Sequence, residues 1–227
     1  MITFSHRGRL FPDDPENTLD SFVNLNRKKG GSVEFDVRKT KDNVLVIVHD
    51  KNTKRLSDKN LSISKSDYSE ISKIKVLKHY KIPTLLECLD ALSNMNIINI
   101  EIKQKKIAKE LNELLINYFR NNPNFKPKIL ISSRLLTEIR NINLDERIQT
   151  GLIINFSALV RLMLLKPRPS IIIVNRFFLN PILLKYCKKK SINIFCYTVN
   201  KPNEFERLKE LKVDGLYTDN YNMLSNL

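Results

Sequence analysis

Short apolar runs rich in β-branched residues recur along the chain, at residues 2–5, 32–37, 44–48, 97–103, 128–132, 149–154, 170–174, 193–197 and 215–218. Such runs read as strands. Between them lie longer stretches with helical spacing of apolar positions, at 18–29, 84–95, 106–120, 135–142, 157–165, 180–190 and 203–211, with a short last one near Tyr221. The run at 44–48 follows the Lys41-Asp42-Asn43 turn too closely for a helical crossover, so it reads as the return arm of a ribbon. The other eight strands alternate with helices, which requires parallel pairing and right-handed crossovers. Eight β/α units closing on themselves predict an α/β fold, a TIM (β/α)8 barrel with a short insertion after the second strand.

No Pro/Gly/Ser linker or internal repeat interrupts the alternation, so residues 1–227 are expected to form a single domain. The stretch that fits no β/α unit is 51–82, between the second strand and its helix. It carries nine Lys/Arg against three acids. In a barrel this insertion hangs from a C-terminal strand end, the face on which active sites are built.

Composition changes this picture little. The 227 residues are 42% hydrophobic and 28% charged, which suits a globular domain with a large core and excludes a disordered chain. Charge is the unusual feature: 39 Lys+Arg against 24 Asp+Glu give +15. That excess invites an anionic partner, nucleic acid or membrane, although a lysine-rich codon bias accounts for it as simply. Cys88, Cys187 and Cys196 form no C-x-x-C, so buried thiols in a reducing compartment are expected. The N-terminus has no basic region followed by an apolar run, and no apolar stretch reaches ~18 residues, so a cytoplasmic location is expected.

The chemistry concentrates at strand ends. In Glu34-Phe35-Asp36-Val37, residues two apart share a face, so both carboxylates enter the barrel mouth while Phe35 and Val37 meet the helices. Their repulsion calls for a cation. Glu101 and Lys103 repeat the pattern on the next strand, with Ile100 and Ile102 outward. Three hard oxygen donors without thiolate favour one divalent cation, Mg²⁺ or Ca²⁺. His6 ends the first strand and His49 ends the return arm, each followed by a polar neighbour, Arg7 and Asp50. Two imidazoles beside a metal suit general acid and base work near neutral pH. With Arg7 and Lys103 adding positive charge, the set specifies an anionic phosphoryl substrate cleaved by displacement at phosphorus. His79, in the insertion, has no such support.

The ordered motifs resemble the glycerophosphodiester phosphodiesterase family. They are His6-Arg7-Gly8, Pro15-Glu16-Asn17-Thr18 with Phe22, Glu34-Phe35-Asp36-Val37 with Thr40-Lys41-Asp42, and Val46 to His49-Asp50 with Arg55. Then follow Ile82-Pro83-Thr84-Leu85, Glu101-Ile102-Lys103, Tyr197-Thr198-Val199-Asn200 and Asp214-Gly215-Leu216-Tyr217-Thr218-Asp219. The resemblance implies a barrel in which Glu34, Asp36 and Glu101 hold a divalent cation and His6 and His49 act as general acid and base. It implies that Arg7 and Lys103 contact the phosphate, and that a glycerophosphodiester is split into sn-glycerol 3-phosphate and an alcohol such as choline, ethanolamine or glycerol. The glycerol 2-hydroxyl attacks phosphorus through a cyclic phosphate in the mechanism proposed for that family. Glu16 and Asn17 read as structural, with Asn17 or Thr18 as a helix N-cap. Two positions depart from the family pattern: Tyr197 stands where Trp is usual, and Ser132-Ser133 where a Ser-Phe pair is expected. The wall of the alcohol or glycerol pocket is therefore expected to differ.

Two alternatives stand beside the soluble phosphodiesterase. One is a lysophospholipase D, with the basic insertion in contact with an anionic bilayer; it needs spare hydrocarbon as well as charge, and the apolar residues of the insertion look sufficient only to pack on the barrel. The other is a polyanion-binding barrel without catalysis, suggested by Lys188-Lys189-Lys190 and the insertion lysines. No interleaved aromatic platform accompanies those lysines, so no nucleic acid is expected as a partner. Nothing marks an oligomer interface.

Overall fold

The computed structural model describes residues 1–28, 31–142, 146–154 and 169–225. Its strands are β1 (Ile2–His6), β2 (Ser32–Lys39), β3 (Leu45–Ile47), β4 (Ile97–Ile102), β5 (Lys128–Ser133), β6 (Ile148–Ile154), β7 (Ile171–Asn175), β8 (Asn193–Tyr197) and β9 (Gly215–Thr218). The described helices are α1 (Leu19–Asn26), α2 (Tyr68–Ile71), α3 (Leu85–Ala91), α4 (Ala108–Asn121), α5 (Leu136–Arg140), α6 (Pro181–Lys189), α7 (Pro202–Glu210) and α8 (Tyr221–Leu224). The order β1-β9-β8-β7-β6-β5-β4-β2, with β1 pairing back on β2, closes eight parallel strands into a TIM barrel. The antiparallel β3 is the expected return arm, with Val37 opposite Ile47. The helix expected at 157–165 lies outside the described residues, as does the end, at 29, of the helix expected at 18–29.

Side-chain alternation sorts the barrel into two cores. Outward-facing Val33, Phe35, Val37, Ile98 and Ile100 pack against Phe22 and Leu25 of α1, Leu85 and Leu89 of α3 and Leu111 of α4. Inward-facing Phe4, Leu130, Ile153, Ile173, Phe195 and Tyr217 fill the bore. Phe4 stacks on Tyr217 with ring centroids 4.9 Å apart. Gly215 belongs to this packing, since a Cβ there would lie 2.9 Å from the Phe195 ring. All three cysteines are buried free thiols.

Several helix starts follow local capping. Thr18 and Thr84 cap α1 and α3 through their hydroxyls, and Asn180 caps α6 with Pro181 at its first position. The helix expected from 106 starts at Ala108, because Ile107 brings no capping side chain. Its free amides are satisfied from the next β/α unit. Buried Glu138 of α5 accepts from the backbone N–H groups of Lys106, Ile107 and Ala108 at 2.8, 3.0 and 3.0 Å. Among the described residues no helix is long and apolar enough to cross a membrane.

Residues 51–82 form a unit beside the β2–β3 ribbon, with one 3₁₀ turn (Ile63–Lys65) and α2. Leu56, Ile63, Ile71, Ile74, Val76 and Ile82 are buried together with Val46 and Val48 of the return arm. The apolar residues of the insertion are thus almost wholly consumed in a small core of their own.

Candidate active site

Strand register assembles the mouth. His6 is level with Glu34, Glu34 with Asn99, and Asp36 with Glu101 and then Ser132. The inward residues of β1, β2, β4 and β5 therefore meet on one side of the opening. His6, Arg7, Glu34, His49, Glu101 and Lys103 all line one cavity of about 580 Å³. The structure brings together every residue singled out in the sequence, Asp36 lying beneath the cavity in contact with Arg7 and Lys103.

One oxygen from each of Glu34, Asp36 and Glu101 lies within 4.8 Å of the others, a group that could hold a metal ion. Two observations fit a divalent cation there. Glu34 Oε1 is buried without a hydrogen-bond partner, and Asp36 Oδ1, equally buried, has only the Lys103 ammonium beside it, which is costly for Glu34 unless something else satisfies it. In addition, burial, then Asp36 and Glu101, push the Glu34 carboxyl well above the ordinary range, and Arg7 and Lys103 offset this only in part. Asp36 behaves oppositely: burial would raise it, but Lys103, Arg7 and His49, with a hydrogen bond from Asn17, bring it down to about 2.

The cations are fixed by these acids. Lys103 Nζ donates to Glu101 Oε1 at 2.7 Å and lies 3.2 Å from Asp36 Oδ1. Arg7 donates from Nη1 to Glu16 Oε1 at 3.0 Å, and its Nε lies 3.3 Å from Asp36 Oδ2. Its backbone is in the left-handed region, φ 58°, with its N–H on Glu34 Oε2 at 3.1 Å. Asn17, at φ 55°, donates its backbone N–H to the Arg7 carbonyl. Two non-glycine residues so held place strain beside the site, which the surrounding bonds must sustain. Gly8 follows at φ 78°, where a Cβ would come within 2.5 Å of Phe22.

Both imidazoles are anchored through Nδ1. His6 Nδ1 pairs with Asp219 Oδ1 at 2.8 Å, and His49 Nδ1 with Asp50 Oδ1 at 2.8 Å. That leaves Nε2 of each for proton transfer. Burial opposes ionisation of Asp219, yet His6, Asn200 and Arg9 hold it far below the usual carboxylate range. For His49, burial leads a net lowering, aided by Lys103 and Arg7 and resisted by Asp36 and Asp50. Behind this layer Glu16, itself buried, gathers Arg7, Arg9 and Arg55. Arg55 also donates to Asp50 at 2.6 Å.

Several of these partners were not singled out in the sequence. The partner of His6 is not its neighbour Arg7 but Asp219, which the sequence offered only as the last residue of the final motif, with no role attached. The N-cap choice resolves to Thr18, which frees Asn17 to donate to Asp36 Oδ2 at 2.9 Å. Glu16 is structural, as expected, but as the hub of three arginines.

The opposite wall is apolar. Ile153 of β6, Ile173 of β7 and Tyr197 of β8 line it. Arg134 reaches across from the end of β5 and donates to the Tyr197 hydroxyl at 3.1 Å. Buried Asn99 Oδ1 and Ser132 Oγ face the cavity floor without hydrogen-bond partners. No residue of 51–82 lines this cavity.

A model of the Glycerophosphoryl diester phosphodiesterase family matches residues 6–223. A glycerophosphodiester phosphodiesterase of Caldanaerobacter subterraneus is 29% identical, the match covering all of this chain and 97% of the relative. A human protein described as a lysophospholipase D is 26% identical over 95% of this chain and 82% of its own length. Among solved structures, an Oleispira antarctica phosphodiesterase in complex with the product sn-glycerol-3-phosphate superposes with a TM-score of 0.85 at 21% identity, covering all of this chain and 96% of its own.

Proposed function

This chain belongs to the glycerophosphoryl diester phosphodiesterase family, and on that premise we propose that it hydrolyses small glycerophosphodiesters to sn-glycerol 3-phosphate and an alcohol, with a divalent cation on Glu34, Asp36 and Glu101 and a histidine pair moving the protons. The observation that carries this reading is the shared cavity: three carboxylate oxygens within 4.8 Å of one another, ringed by Arg7, Lys103 and two Asp-anchored imidazoles. An oxygen-only donor set suits Mg²⁺ or Ca²⁺. When bound, such an ion would neutralise the carboxylates and withdraw charge from a phosphate oxygen.

The residues divide the remaining work. Arg7 and Lys103, pinned by Asp36, Glu16 and Glu101, would present cationic hydrogen-bond donors to the phosphate without reorganising. His49, kept neutral by burial and nearby cations, would take the proton from the attacking oxygen, water or the glycerol 2-hydroxyl. The P–O bond to the departing alcohol then breaks, and His6 supplies its proton. Where the 2-hydroxyl attacks, water then adds to the resulting cyclic phosphate, the P–O bond to the 2-oxygen breaks, and the two histidines exchange roles. Asp219 on Nδ1 of His6 turns its Nε2 toward the cavity, 3.9 Å from Glu34 Oε2, where it can reach the leaving oxygen. Asn99 and Ser132 would accept or donate hydrogen bonds to substrate hydroxyls.

Applied to a lysolipid headgroup, the same chemistry is a lysophospholipase D reaction, and the apolar wall of Ile153, Ile173 and Tyr197 supports that second reading. The deciding experiment incubates the protein with glycerophosphocholine and Mg²⁺ or Ca²⁺, with and without EDTA, and assays sn-glycerol 3-phosphate, with lysophosphatidylcholine run alongside. Chelation abolishes turnover if the reading is right. Turnover without metal, or full activity in Glu34→Ala, refutes it.

A further inference from the structure

The insertion presents a groove of about 880 Å³ lined by Lys54, Lys59, Lys73, Lys75 and Lys78, with Asp58 its sole acid. Along 72–78 the pattern alternates: Ile74 and Val76 are buried in the small core, while Lys73 and Lys75 stand exposed between them. Among the described residues none of the five lysines is paired with a carboxylate. Leu77, beside the groove, is 53% exposed. Charge of this kind attracts a polyanion but does not by itself hold a protein on a lipid surface; hydrocarbon must also be buried.

That hydrocarbon lies across the mouth. β2 and β7 stand opposite each other in the ring of eight strands. Immediately after β7, Phe177 is 74% exposed, and Ile182, in the first turn of α6, is 66% exposed. Phe11, in the loop after β1 on the same face, is 50% exposed. Phe177 is displayed rather than loose: its N–H donates to Asn175 Oδ1, and its ring carries the Arg176 guanidinium 4.3 Å from the centroid. Arg176 is tied in turn to Glu204 and to the carbonyl of Thr198, a residue that lines the catalytic cavity. A single exposed apolar residue is ordinary, but Phe177 and Ile182 together on the connection opposite an unpaired lysine groove, with Phe11 exposed on the groove's own side of the mouth, are a pattern.

We propose that the mouth of the barrel seats on an anionic bilayer, with the insertion lysines as the electrostatic foot and Phe177 and Ile182 as the inserted foot. The two feet straddle the catalytic cavity, so the opening faces the lipid surface. A cationic groove calls for anionic headgroups, and an apolar foot across the mouth, set apart from the lysines rather than interleaved with them, fits a bilayer with its charged surface and hydrocarbon interior better than a nucleic-acid backbone. This surface does not depend on the catalytic reading, and binding can be measured apart from turnover.

The test is co-sedimentation with vesicles of phosphatidylglycerol and phosphatidylcholine, against pure phosphatidylcholine. The full chain is expected to bind the anionic vesicles preferentially, and less tightly as NaCl rises. With a contribution of about fivefold in affinity per surface lysine, the combined change Lys73→Glu, Lys75→Glu and Lys78→Glu lowers the partition coefficient on the order of 100-fold or more. Phe177→Ser with Ile182→Ser lowers it roughly tenfold. Both variants keep wild-type turnover of water-soluble glycerophosphoglycerol, and both lose turnover of lysolipid presented in anionic vesicles. Failure of the wild type to bind anionic vesicles overturns the proposal. So does unchanged vesicle binding by the Phe177/Ile182 variant, above all if tRNA competes equally, which marks a plain polyanion patch. A lipid-free dimer that this variant abolishes in sedimentation assigns the apolar foot to a second copy, and also overturns it. If the wild type binds vesicles but turns over no soluble diester, the catalytic reading fails and the docking surface stands.

Discussion

The two sides of the barrel mouth are built from the same strand geometry but opposite chemistry. On the β1–β4 side, inward positions carry His6, Glu34, Asp36, Glu101 and Lys103, and polar partners hold each of them. On the β6–β8 side, the equivalent positions carry Ile153, Ile173 and Tyr197, continuous with the Phe4–Phe195–Tyr217 packing below. The charged half stores unfavourable energy in crowded buried carboxylates and two left-handed residues. The apolar half supplies the stability that offsets it. Function and stability are thus separated across a few ångströms, and substitutions on the two sides should fail in different ways.

The separation can be broken most strongly at the histidines. His6→Ala and His49→Ala are each expected to lower kcat by about 10²- to 10⁴-fold, with the thermal midpoint little changed. On the other wall, Ile173→Ala should instead cost about 2–5 kcal/mol of stability by denaturant unfolding and leave kcat close to wild type. A large kcat loss there would mean that the apolar wall takes part in the chemistry. Next come the anchors: Asp219→Asn and Asp50→Asn are each expected to lower kcat about 10- to 100-fold with KM held, since they orient imidazoles rather than touch substrate.

Smaller effects sharpen the contrast. Because the pKa of His49 lies below the usual ~6.5 and a base must be neutral, kcat/KM should fall only as pH drops through that lowered value. Asp50 pulls the pKa upward, so Asp50→Asn should move the acid limb further down. A limb moving upward would show that His49 is not the base. The smallest effect is expected at Tyr197→Phe, which removes one hydrogen bond from Arg134 and should change KM by no more than about tenfold.

The alternation at Glu34–Val37 and Ile100–Lys103 was legible because a strand's period of two leaves no freedom about which residues share a face. The insertion was legible as basic, and its apolar residues as a packed set, from composition alone. The start of α4 was not, because its cap is Glu138, supplied from α5. Nor was the pairing of Asp219 with His6, 213 residues away. The mouth-side position of Phe177 and Ile182 opposite the lysine groove was equally invisible, since it depends on β2 and β7 standing across a closed ring.

Local rules therefore determined from the chain alone the strands, the eightfold β/α alternation, the inward carboxylates and the two histidines. Each depends on residues adjacent or two apart. Only the tertiary structure decided which acid anchors each imidazole, which carboxyl oxygens are left unsatisfied, and what stands across the mouth from the charged half. Those relations join residues distant in sequence, and closure of the barrel is the physical step that brings them within hydrogen-bonding distance.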